Sequence, residues 1–190
     1  MAFESEEVRA FGTGHVYVAD VGTAMPADIG ATIPTSWIDL GYTDEQGPRF
    51  NFGRTVNEVP AWQSYDPVRV LITAVPKTVA FDLLQTNKHT LQLALGGGDV
   101  TEGAPFEFSY EPPDESFVDE RALIITGEDG DYTYRFCFHK VLNQSGVEFP
   151  FVRGAPTKLA IEVKVLAAGG GNKPYFIQTD DPNIFSGAAS

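Results

Sequence analysis

Apolar residues recur at every second position along much of this chain. Val79, Phe81 and Leu83 alternate with polar neighbours, as do Phe106, Phe108 and Tyr110. The same holds for Tyr132, Tyr134, Phe136 and Phe138, and for Leu159, Ile161, Val163 and Val165. A period of two places such residues on one face of a β-strand. The run 15–19, with Val16, Tyr17 and Val18, is a further short strand signal. Segment 67–75 differs. Val68, Val70, Leu71, Ile72 and Val75 make it apolar on both faces, which predicts a strand covered on both sides.

Turn and cap residues divide these runs. Asp129-Gly130 between 122–126 and 131–134 predicts a tight hairpin, since Asp-Gly suits positive φ. The neighbouring Glu128 and Asp131 lack the length and terminal glutamate of an EF-hand calcium loop. One helix is predicted at about 86–95. Thr86 or Asn87 caps it, Leu84, Leu91 and Leu95 recur at helical spacing, and Gly96-Gly97-Gly98 ends it. The reading is a single mainly β domain over 1–190, a β-sandwich or half-barrel with one short flanking helix.

Two segments fit that core poorly. Residues 41–66 mix Gly, Pro, charges and aromatics and read as a long hairpin-like excursion. Phe50, Phe52, Val59 and Trp62 lie in it. Leaving each in water forfeits about 1.5–3 kcal/mol of burial, so the excursion docks on another surface or folds back on its own core. The C-terminal arm, about 169–190, opens on Gly169-Gly170-Gly171 and carries the strand-like Tyr175, Phe176 and Ile177. Such a strand pairs with its own sheet or with a neighbour's edge.

Composition narrows the function classes. The net charge is −13, which opposes direct binding of a polyanion. No run of eighteen apolar residues predicts a membrane helix. The acidic start, Met1 to Glu7, lacks a signal-peptide pattern and predicts folding in a cytoplasm. The single cysteine, Cys137, leaves no internal disulfide. Cys137 and His139 share a strand face without a third supporting group, so neither a nucleophile pair nor a zinc site is expected. Gly12-Thr13-Gly14 and the 169–171 triplet lack the strand-loop-helix setting of a phosphate loop and read as hinges. The acidic, proline-containing stretch 111–120 reads as a solvated face. No catalytic residue, metal or cofactor is expected, and the chain is read as a non-enzyme.

An ordered series of segments carries a resemblance. It runs from Gly14-His15-Val16-Tyr17-Val18-Ala19 and Val21-Gly22-Thr23-Ala24-Met25-Pro26 to Trp37-Ile38-Asp39-Leu40-Gly41-Tyr42-Thr43-Asp44-Glu45-Gln46-Gly47. Ala61-Trp62-Gln63, Pro67-Val68-Arg69 and Phe81-Asp82-Leu83-Leu84-Gln85-Thr86-Asn87-Lys88 follow. Over roughly 14–95 the chain resembles the major tail proteins, or tail tube proteins, of bacteriophages with long non-contractile tails. The resemblance implies a structural subunit whose copies form hexameric rings stacked into a tube in the virion tail. Assembly would occur in the host cytoplasm, with tape-measure and tail-tip or terminator proteins as partners. DNA would pass through the lumen during ejection without specific binding.

On that reading Phe50, Phe52, Val59, Trp62, Tyr175, Phe176 and Ile177 are the expected inter-subunit contacts. Asp82 and Glu162 are the expected lumen-facing acids. Two other readings compete. One is a carbohydrate-binding or virion-decoration module with Trp37, Trp62 and Tyr65 as a sugar platform. The other is the tube protein of a secretion machine.

Overall fold

The structure is a computed structural model and describes residues 8–104, 107–150, 152–154 and 156–186. The strands are β1 (Thr13–Asp20), β2 (Ile38–Asp39), β3 (Arg49–Phe52), β4 (Thr55–Ala61), β5 (Ser64–Ala74) and β6 (Lys77–Leu83). After helix α1 (Lys88–Leu95) come β7 (Asp99–Glu102), β8 (Phe108–Glu111), β9 (Glu120–Asp129), β10 (Tyr132–Asn143), β11 (Leu159–Val165) and β12 (Tyr175–Thr179). A single turn, α2 (Asn183–Ser186), follows. The chain is mainly β.

Eight strands form one sheet in the order β2-β1-β9-β10-β11-β6-β3, with β12 also paired to β10. The free edge of β10 is divided. Tyr134 to Phe138 pair with β12, and Val141 to Asn143 pair with β11. The register against β9 shifts between Phe138 and Val141, at this division. Such irregularities bend a strand and let it turn a sheet corner. The sheet therefore folds into two layers, one containing β1, β9, β10 and β12, the other β11, β6 and β3. It is an open sandwich, because β2 and β3 end the order without pairing to each other.

Alternation builds the core. Val16 and Val18 of β1, Leu123 and Ile125 of β9, and Phe138 of β10 meet Val79, Phe81 and Leu83 of β6 and Leu159, Ile161 and Val163 of β11. The other face of the first layer is covered too. Ala19, Ala122, Ile124 and Cys137 pack with Trp37, whose indole N–H donates to the Ala24 carbonyl at 3.1 Å. The Arg135 guanidinium fastens the same segment, donating to the carbonyls of Asp28 at 2.7 Å and Ala31 at 3.1 Å.

Helix α1 has a capping box. The Asn87 side chain accepts from the His89 and Thr90 amides, both at 3.0 Å, and Thr90 Oγ1 accepts the Asn87 N–H at 2.8 Å. Gly96 closes it with φ 78°. Its buried residues are Thr90, Leu93 and Ala94, not Leu91 and Leu95, and Leu84 lies before it. The helix is one turn long on its apolar side, so the leucine spacing ran past its start.

Three other expectations change. Segment 67–75 is not covered on both sides within the subunit; every residue of β5 is exposed. The projecting hairpin spans Thr55 to Ala74, displaced along the chain from the expected 41–66, because β3 returns to pair with β6. Gly14 is no hinge: it lies inside β1, where a Cβ would stand 2.2 Å from the Thr126 carbonyl oxygen. The triplet Gly169, Gly170 and Gly171 does turn, with φ of 75°, 59° and 82°. Phe106 lies outside the described residues.

Candidate assembly surface

The hairpin β4–β5 stands apart from the two layers. It pairs with itself, and no other element packs against it to a comparable extent. Val56 faces Ile72 and Glu58 faces Val70 across the strands. Cross-strand partners share a face, and residues two apart share it as well. Val56, Val68, Val70 and Ile72 therefore line one side, with Glu58 among them and Asp66 at the turn end of the same row. Their exposures are 49%, 61%, 56% and 58%. The other side mixes Asn57, Val59, Arg69 and Leu71. At the turn Trp62 is 98% and Tyr65 109% exposed. A lone two-stranded hairpin is marginal in water, and a contiguous apolar face of this kind marks an interaction surface.

The residues singled out in the sequence fall in three places. Val59 and Trp62 lie on the hairpin. Phe50, Phe52 and Tyr175 gather where β3 crosses β10 and β12. Phe50 is half-buried and stacks on Phe136 at 4.5 Å and Phe138 at 6.1 Å between ring centroids. Phe52, more exposed, stacks on Tyr175 at 5.0 Å. Phe176 turns to the opposite face, among the residues around Cys137. Ile177 is exposed beside it. β12 pairs with β10 of its own chain, Tyr175 opposite Phe138 and Thr179 opposite Tyr134.

Asp82 and Glu162 share the outward face of the second layer. Ala160 faces Asp82 and Ala80 faces Glu162 across β6 and β11. Basic groups accompany them: Arg49 lies 4.0 Å from Asp82, and Lys164 shares the Glu162 face. Lys158 pairs with Asp44 at 3.0 Å and holds that carboxyl below its ordinary pKa, against the opposing effect of burial. The acidic excess lies elsewhere. Residues 89–120 contain no Lys or Arg and eight Asp or Glu, several of them on the two-stranded β7–β8 lobe.

The segments around Arg9 and Asp181 are fastened to β10 by a buried network. The Tyr134 hydroxyl donates to Asp181, and the Arg9 guanidinium pairs with the same carboxylate. The Asn183 amide donates to Asp181 Oδ1 at 2.8 Å. Burial alone would raise the Asp181 pKa. The Tyr134 hydrogen bond, the Asn183 amide and Arg9 outweigh it, so the value falls below the ordinary one.

The arrangement offers little chemistry. Burial pushes the Cys137 thiol up to about 12, with Arg135 opposing only in part. An inert thiol of this kind is a core residue, not a nucleophile. Among the described residues no group of His, Cys, Asp or Glu is placed to hold a metal ion. Among the described residues no helix is long and apolar enough to cross a membrane.

Sequence reasoning missed the apolar face of the hairpin. Its signal is present, since 67–75 is apolar on both sides, but the pattern does not say what covers them. The Arg9–Tyr134–Asp181 network left no local signal, because its members come from opposite ends of the chain.

A family model described as phage tail tube protein matches residues 1–188. No curated protein matches the chain.

Proposed function

Since the chain belongs to the phage tail tube protein family, we propose that it is the subunit of stacked, hexameric rings forming the tube of a long non-contractile tail. The tube would be the conduit for DNA during ejection. The observation that carries this reading is the β4–β5 hairpin. Its apolar face is uncovered in the single chain, and a second copy is the partner that a tube supplies in every repeat. Val59 and Trp62 on the hairpin are the first contacts. Phe52, Tyr175, Phe176 and Ile177 on the free edges of β3 and β12 are the second, and Phe50 supports them from below.

The outward face of β6 and β11 is the lumen-facing surface in this reading, with Asp82 and Glu162 among small residues such as Ala80 and Ala160. Charge there is balanced by Arg49 and Lys164, so passing DNA meets neither a strong attraction nor bulky apolar groups. The tape-measure protein and tail-tip or terminator proteins are its partners. It acts in the virion tail after assembly in the host cytoplasm, and no enzymatic role is assigned.

Negative-stain microscopy of concentrated protein and of virion tails tests the proposal. Sixfold rings or hollow tubes are expected. Monomers alone, even with tail-tip proteins added, would overturn it.

A further inference from the structure

A half-open cleft of about 710 Å³ lies between the start of β1, segment 41–48 and β3. Val16, Phe50 and Phe136, buried or half-buried, are among its lining, and Phe11 joins them. Asp39 in the lining accepts from the Gly41 amide, Asp44 pairs with Lys158 and Gln46 accepts from Arg49, which leaves the exposed Glu45 as the open carboxylate at the rim. His15 Nδ1 lies 2.9 Å from Asp39 Oδ2 along the same wall.

The same chain carries a shape that fits this hollow. Trp62 and Tyr65 end the hairpin, and none of the described residues covers them. Each ring is large and apolar and carries one donor, an indole N–H or a phenol O–H. We propose that the hairpin tip of one copy seats in the cleft of a neighbouring copy, both rings against the aromatic lining and their donors toward the rim at Glu45. The proposal rests on the tube reading above and adds where the hairpin goes.

The contact is heterologous, because tip and cleft are different surfaces of one chain. Repeating such a contact either closes a ring or extends a column. Size supports a second copy as the occupant. Two aromatic side chains bury about 150–250 Å² each, roughly half of the ~800 Å² per partner of a stable interface. The face of Val56, Val68, Val70 and Ile72, continuous with the tip, supplies more area. A lone small ligand would leave that face in water. Asp66 follows the tip and meets an acidic rim, so it opposes the contact and neutralising it tightens assembly.

The test uses tubes of the full chain, with native Cys137 buried and its thiol poorly ionised. Cysteines are introduced together as Gln63→Cys at the tip and Glu45→Cys at the rim, and the tubes are oxidised. The expected result is a ladder of covalent oligomers on a denaturing gel. A ladder ending at the ring size places the contact within a ring, and an unbounded ladder places it between rings. A control pair, Gln63→Cys with Glu115→Cys on the acidic side, should give no ladder. Trp62→Ala should raise the critical concentration for assembly at least tenfold, with the fold intact by circular dichroism, and Asp66→Asn should lower it. Tubes that form normally yet give no ladder, or cross-link only through Glu115→Cys, would overturn this placement and leave the tube reading standing. If the native chain forms no tubes at all, the tube reading fails with it.

Discussion

Strands β5 and β6 are neighbours in sequence and opposites in setting. In β6, Val79, Phe81 and Leu83 are fully buried and alternate with half-buried residues. In β5, Val68, Val70, Leu71 and Ile72 are as apolar, yet all are exposed. Strict alternation marks a strand completed by its own domain, with one wet face. Apolar residues on both faces mark a strand with two dry faces, and here the subunit supplies neither. The difference separates what stabilises the monomer from what is left for a partner.

The largest expected effect breaks assembly and spares the fold. Val70→Asp or Ile72→Asp should abolish tube formation, read by microscopy and sedimentation. Thermal stability of the monomer should change by less than about 0.5 kcal/mol, because the site is already in water. A monomer that melts much earlier would show that the hairpin folds back on the body in solution.

Thiol labelling sharpens the contrast next. With its thiol pushed up to about 12 by burial, Cys137 should react at pH 8 more slowly than a cysteine introduced by Val70→Cys by a factor on the order of a thousand, from thiolate fraction alone. Unfolding in guanidinium should equalise the two rates. Assembly should then protect only the introduced thiol further.

Phe81→Ala is the counterpart in β6. It should cost about 3–5 kcal/mol in denaturant unfolding, from lost burial and the cavity left behind. Any loss of assembly should follow that loss of fold, not precede it.

The smallest effect concerns the terminal network. The Asp181 pKa is lowered in the folded state, so its contribution is full above the unfolded carboxylate value of about 3.9 and is lost as pH falls through the lower folded value. Asp181→Asn should lower the melting temperature at neutral pH, and the gap from the native protein should narrow below about pH 4. A gap independent of pH would assign the site a packing role only.

The core was legible in the sequence because its signals are local. Alternation locates β6, β10 and β11, Asp129-Gly130 locates the β9–β10 turn, and the pair Thr86-Asn87 locates the helix start, of which Asn87 is the cap. Periodicity records which faces are dry and is silent on whose atoms dry them. That is why segment 67–75 predicts a strand covered on both sides without saying by what, and why the expected excursion at 41–66 begins ahead of the hairpin at 55–74. Phe50 shows a second limit of periodicity: it reads like Phe52 in the sequence, yet it is half-buried on Phe136 and Phe138 of its own chain. The cleft, which joins residues as distant as Phe11, Phe50 and Phe136, exists only once the layers have folded over one another.

The divided edge of β10 has a consequence for how the subunit comes apart. One strand belongs to both layers, held by β9 along one side and by β12 and β11 in turn along the other. Neither layer can melt while the other keeps its ladder. The body should therefore unfold as one cooperative unit, with β10 amides the last to exchange with solvent. The amides of β4 and β5, outside that unit, should exchange early in the free subunit and slow sharply once a neighbour is in place.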